Sequence, residues 1–256
     1  MSKPTILFRN ARVLDGSTPE AIEDQDVLVE NGVITNVSGS RLSTSGAAVI
    51  DLAGNTLMPG LIDCHVHVIA TIASLGENAQ LPNSLVALRS APIMKAMLMR
   101  GFTTVRDLGG ADIGLKMAID EGTIIGPRLV ICGKALSQTC GHCDFRGPFN
   151  NRNVDYYADR VGALGRVVDG VDAVRRAARE EIKGGAEFIK IMANGGVASP
   201  TDPIYFYGFS RDEITAAVEE ANGAQTYVAA HLYTDDAIRR AVECGVVSIE
   251  HGNLIQ

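Results

Sequence analysis

Met58-Pro59-Gly60-Leu61-Ile62-Asp63-Cys64-His65-Val66-His67-Val68 is the stretch at which the sequence changes character. Upstream, short β-type runs at 6–8, 27–29, 33–37 and 48–50 are separated by the turn formers Asp15-Gly16 and Asn31-Gly32. Asn-Gly between two apolar runs is a strong hairpin signal, because both central residues of that turn need positive φ. A small antiparallel β element is therefore expected over residues 1–58. Downstream, over 59–256, apolar runs at 61–68, 103–106, 129–132, 188–192, 227–230 and 246–249 alternate with helical stretches. Two helices carry start signals: 172–182, with Asp172 as N-cap, and 211–221, opened by Ser210-x-x-Glu213 as a capping box. Such alternation predicts stacked βαβ units around a parallel sheet.

Composition narrows the function. Of 256 residues, 23 are Lys or Arg and 30 Asp or Glu, a net charge of −7, which argues against a nucleic-acid partner. With 46% hydrophobic and 21% charged residues the chain is globular in type. No apolar run approaches the ~18 residues of a membrane span. The N-terminal apolar stretch is likewise far shorter than the ~7–15 residues of a secretory signal core. No membrane partner and a cytoplasmic location are therefore expected. Five cysteines, Cys64, Cys132, Cys140, Cys143 and Cys244, form no disulfide framework and suit a reducing compartment. The one long irregular insertion is 139–153, rich in Gly, Asn and Pro. Whether the chain forms a homo-oligomer is left open.

The five histidines are His65, His67, His142, His231 and His251, each at or just beyond the C-terminal end of an expected strand, where parallel α/β folds keep their chemistry. His65 and His67, at i and i+2 on one strand, share a face and can converge on one ion. A lone His-x-His is as readily a satisfied polar pair, but four histidines on three strand ends favour a metal. Lys190, inside the apolar run Phe188-Ile189-Lys190-Ile191-Met192, is the other anomaly. Burial lowers a lysine pKa, and a neutral amine can add carbon dioxide to give a carbamate able to bridge two cations. The bland alternative is a lysine snorkelling at the sheet edge.

Pro59-Gly60-Leu61-Ile62-Asp63-x-His65-x-His67, Gly101-Phe102-Thr103-Thr104-Val105-Arg106-Asp107, Lys190 in a strand, His231, and Ile249-Glu250-His251-Gly252 together resemble the amidohydrolase superfamily. Ala135-Leu136-Ser137-Gln138-Thr139, Gly141-His142, the stretch from Lys190 to Pro203 and His231-x-Tyr233 are most similar to its Xaa-Pro dipeptidase (prolidase) and zinc carboxypeptidase branch. The resemblance implies an α/β fold, a (β/α)8 TIM-like barrel beside a small β-sandwich, and two zinc ions or similar divalent metals. His65 and His67 would hold one ion, His231 and His251 the other, with carboxylated Lys190 and a hydroxide bridging them. The implied reaction is cleavage of a peptide bond in small peptide substrates such as Xaa-Pro or Xaa-Arg/Lys dipeptides. Tyr233 would contact the substrate's terminal carboxylate and His142 its scissile carbonyl. A sibling activity on a cyclic or other small amide is the alternative.

Two departures from the pattern stand out. Cys140-Gly141-His142-Cys143 replaces Gly-Gly-His-Gly and mimics a redox Cys-x-x-Cys, although Gly147-Pro148 leaves no room for the helix such a motif opens. The family's general-base aspartate ends an eighth strand. Here about 196 residues follow Gly60 and, at roughly 30 per βα unit, supply six units. That aspartate and the second half of the sandwich are expected to fall beyond Gln256, so no catalytic base is assigned and an inactive fragment is a further alternative.

Overall fold

The computed structural model describes residues 4–43, 45–152, 157–199 and 201–256, so Asn153 at the end of the insertion and Pro200 within the Lys190–Pro203 motif lie outside the described residues. Two compact units are present, Met1–Gly60 and Leu61–Gln256.

Asn31 and Gly32 take φ of +54° and +83°, as the hairpin signal requires. They join β2 (Ile22–Glu30) to β3 (Val33–Ser38) with Glu30 opposite Val33. The other strands of this unit are β1 (Ile6–Val13), β4 (Ala48–Asp51) and β5 (Thr56–Leu57), in the order β3-β2-β1-β4 with β5 also on β1. The expectation of an antiparallel element is corrected: β4 and β5 pair parallel to β1. The chain leaves β3 at one edge and returns at the other, so β4 arrives running with β1 and not against it. The described residues of this unit form one five-stranded sheet. Its core is thin, with Ala11, Val13 and Val27 at its centre.

The second unit contains β6 (Leu61–Val66), α1 (Leu75–Asn78), α2 (Asn83–Met99), β7 (Phe102–Asp107), α3 (Ile113–Asp120), β8 (Arg128–Ile131), β9 (Ala135–Ser137), β10 (Gly165–Val167), α4 (Val171–Lys183), β11 (Ile189–Met192), α5 (Arg211–Gly223), β12 (Val228–Thr234), α6 (Asp235–Glu243) and β13 (Ser248–Leu254). The strands pair in the orders β6-β7-β8 and β10-β9-β11-β12-β13, parallel throughout. Gly133, at φ +67°, interrupts one long run into β8 and β9. Glu187 N–H bonds to Ile131 O at 2.8 Å, which carries the pairing on towards β11. Counted that way, β6, β7, β8/β9, β11, β12 and β13 are six successive barrel-type strands.

Period-two alternation decides what faces the site. Ile189, Ile191, Val228, Ala230 and Leu232 point outward into a core shared with α4, α5 and α6. Each large one contributes roughly 1.5–3 kcal/mol by burial. A one-residue slip would exchange them for Lys190, Met192 and His231, so the apolar face locks the polar one in register.

Helix α5 opens with the expected capping box: Ser210 Oγ accepts from the Glu213 N–H at 3.3 Å, and Glu213 accepts from the Ser210 N–H at 2.7 Å. Asp172, by contrast, is not an N-cap. The cap of α4 is Gly170, at φ +86°, and Asp172 lies in the first turn, where its charge suits the helix dipole. Gly170 N–H finds its acceptor across the fold in Glu213 Oε1, 2.7 Å away, so no side chain of α4 is needed as cap.

Candidate active site

His65, His67, His142, Lys190, His231, Tyr233 and His251, the seven residues singled out by sequence, all line one cavity of about 240 Å³. The rest of its wall is apolar or thiol, from Leu75, Cys143, Phe145, Leu164, Met192, Val197 and Ala198. No carboxylate is among its lining residues. His65 lies in β6 and His67 just past it; His231 lies within β12 and His251 within β13, both of which extend beyond the expected ends. His251 reaches the cavity by a backbone irregularity. It pairs with outward-facing Leu232, but its φ of +71° turns the ring back towards His231. A non-glycine residue in that conformation carries strain of order 1–2 kcal/mol.

Hydrogen-bond partners set which imidazole nitrogens remain free. His67 Nδ1 donates to Gly109 O at 3.1 Å, His231 Nε2 to Gly195 O at 3.2 Å and His65 Nδ1 to Glu250 Oε2 at 2.8 Å. Each ring keeps a lone pair on its other nitrogen, the arrangement in which histidine binds metals. His231 Nδ1 and His251 Nε2 stand 2.8 Å apart. Burial pushes His67 and His251 down to about 4 and lowers His231 as well, so these three rings are neutral at pH 7.

Lys190 is 1% exposed, and its Nζ has no hydrogen-bond partner among the described residues. The snorkelling alternative is thereby excluded. Burial pulls its pKa down to about 8 against the attraction of Glu250, so roughly one amine in ten is neutral at pH 7. Among the described residues, no three His, Cys, Asp or Glu side chains form a ready coordination cage. What the cavity offers is four imidazoles around an orphaned amine. That set fits a pair of divalent cations when the lysine supplies the anionic oxygens, and the amine itself has no other satisfied role.

Several residues behind the cavity escaped the sequence reading. Glu250, 5% exposed, accepts from His65, from Arg106 Nη2 at 2.7 Å and from Ser248 Oγ at 2.9 Å. Burial alone would raise its pKa, but His65, Lys190, Ser248 and Arg106 hold it at about 2. Asp107 is fully buried and accepts from Val68, Gly109 and Ala111 N–H groups, which fixes the Gly109 carbonyl under His67. Asn194 ties the loop after β11 to β12, donating to Ile204 and Phe206 carbonyls and accepting from Tyr233 and Thr234 N–H groups. Their visible signal was a charge or amide inside or at the end of an apolar strand, as Arg106, Asp107, Asn194 and Glu250 all are.

The Cys-x-x-Cys alternative fails on geometry. Residues 139–149 are turns with no helix, and burial pushes the Cys143 thiol up to about 12, the reverse of a reactive redox thiol. Cys140 instead donates its thiol hydrogen to Thr201 O at 3.3 Å.

A parallel α/β unit whose cavity is built at strand C-terminal ends defines the chain as TIM-barrel in type, with that cavity at the face where barrel enzymes keep their active sites. Within that class it belongs to the amidohydrolase family, whose model matches residues 56–256. It is 39% identical over 206 residues to the ochratoxinase of Aspergillus niger, covering 76% of this chain and 43% of that one. Among solved structures, a prolidase complexed with N-methylphosphonate-L-proline superposes with a TM-score of 0.96 at 52% identity over 98% of this chain and 62% of that one. A Xaa-Pro dipeptidase with bound methionine gives 0.81 at 32% identity over 97% and 61%. The chain thus spans about three fifths of the length of these structures, and its sequence match covers less than half of the ochratoxinase.

Proposed function

We propose that the protein hydrolyses the amide bond of small peptides, Xaa-Pro dipeptides foremost, in this cavity with two zinc ions or similar divalent cations. The observation that carries the proposal is the convergence of four histidines and a buried lysine on one cavity whose wall, His142, Tyr233 and Cys143 apart, is apolar. His65 and His67 would hold one ion, His231 and His251 the other. Neutral Lys190 would add to carbon dioxide, its N–C bond forming as one C=O π pair moves to oxygen and a proton leaves, and the carbamate would add anionic oxygens to the donors that hold the cations. Cations bound there polarise a carbonyl and supply a nucleophile at neutral pH.

The chain's own groups orient the substrate. The Tyr233 hydroxyl would donate to the terminal carboxylate, and His142 would face the scissile amide. Leu75, Phe145, Leu164 and Met192 suit the proline ring. A Xaa-Arg or Xaa-Lys substrate would bring a cation to a wall that has no carboxylate to meet it. The likeness to the prolidase structure supports the same choice.

The likeness to ochratoxinase favours a second reading, cleavage of another small amide. Zinc-loaded protein assayed against Ala-Pro, Ala-Arg, ochratoxin and a hydantoin separates the two. The highest kcat/KM is expected for Ala-Pro. A higher value for ochratoxin or the hydantoin would replace the dipeptidase reading with the second.

A further inference from the structure

Asp202, in the loop after β11, is 3% exposed, and neither of its carboxylate oxygens has a hydrogen-bond partner among the described residues. A buried carboxylate without a partner is costly, so its position calls for a role. The group facing it is His142, with Nδ1 3.7 Å from Asp202 Oδ2. That nitrogen is also sealed from solvent and unpartnered, although the ring lines the cavity.

The surroundings leave the ring little freedom. His142 stacks on His231, centroids 4.2 Å apart and planes at 20°. Its other neighbour is Gly196, where a Cβ would lie 1.9 Å from Nδ1 and Cε1, so only glycine admits the ring there. The Gly196 N–H donates to Asp202 O at 3.1 Å, and the Cys140 thiol donates to Thr201 O. The first bond closes the loop of Asp202 on itself beside the ring, and the second ties that loop to the one carrying His142.

We propose that Asp202 is the positioning residue for His142: its carboxylate takes the Nδ1–H, which fixes the ring and leaves Nε2 as the nitrogen that meets the substrate. A shift of well under 1 Å brings 3.7 Å to hydrogen-bond length, and such bonds are commonly long before substrate binds. A carboxylate behind a histidine sets its tautomer and orientation in the same way at other catalytic sites. The inference rests on the proposed contact between His142 and substrate only for its kinetic consequence.

The test is 15N NMR of histidine-labelled protein, joined to a kinetic double-mutant cycle. The His142 Nδ1 signal, identified by its loss in His142→Gln, is expected to be of the protonated, pyrrole type and to become pyridine-type in Asp202→Leu. On Ala-Pro, Asp202→Leu is expected to lower kcat by about 10–100-fold, with KM and zinc content little changed. In the His142→Gln background the same change is expected to cost nothing further. Asp202→Asn, of unchanged shape, serves the cycle if the leucine variant does not fold. An Nδ1 signal indifferent to Asp202→Leu, or an undiminished loss of kcat when His142 is already gone, would overturn the proposal. The nitrogen signal does not depend on turnover. A protein that cleaves no dipeptide but keeps an Asp202-dependent Nδ1–H loses the functional reading and retains this one.

Discussion

Lys190 is held in place by its neighbours and satisfied by none of them. Ile189 and Ile191 fix its register, yet its amine has no hydrogen-bond partner among the described residues. Lys190→Met keeps the volume and removes the amine. It should fold, with thermal stability of the metal-free protein unchanged or raised, since an unpaired buried polar group is lost. Dipeptide hydrolysis should fall by more than about 100-fold, given that even second-shell changes cost 10–100-fold. Retained turnover in a folded Lys190→Met protein would remove the lysine from the site.

The histidines make a separate prediction about pH. His67 titrates near 4 when folded against 6.5 unfolded, so below pH 6.5 the unfolded chain binds protons that the folded one refuses. Its contribution is present above 6.5 and is lost as pH falls towards 4, the loss having reached roughly 2 kcal/mol by pH 5. His251 acts in the same sense. Denaturant melts of the metal-free protein between pH 7 and 5 should show this slope, shallower in His67→Gln. A slope identical in the variant would contradict the assignment. At this scale the sequence was informative: histidines are scarce, and a lysine in an apolar strand is conspicuous. Glu250 and Arg106 were less legible because a single charged residue in a strand does not say which partner it has.

Elements were legible where a local signal matches a local cause. The Asn31-Gly32 hairpin and the Ser210/Glu213 box need only neighbouring residues, and both formed as read. Ser210→Ala should cost about 1 kcal/mol, the usual worth of an N-cap. Because Glu213 also accepts from Gly170, the loss should be felt at the start of α4, which amide exchange at Val171 and Asp172 would register. Exchange there indifferent to the substitution would show the two helix starts to be independent. Asp172 is not the cap its sequence position suggests, because the partner of the α4 N-terminus, Glu213, lies 43 residues from Gly170. The parallel return of β4, the short β9 and β10, and the left-handed His251 are likewise set by pairing partners distant in sequence, which residue patterns do not record.

At the scale of the whole molecule, length was the telling quantity. Six barrel-type strands among the described residues of the second unit agree with the count of βα units that about 196 residues supply. Those strands include every one that carries His65, Lys190, His231 and His251. The account stands on one claim, that this cavity binds two divalent cations and uses them to cleave an amide. The most direct measurement is the rate of Ala-Pro hydrolysis as zinc is titrated into metal-free protein. The rate should rise and level off as two zinc ions bind per chain; a rate that stays flat up to saturating zinc would contradict the claim.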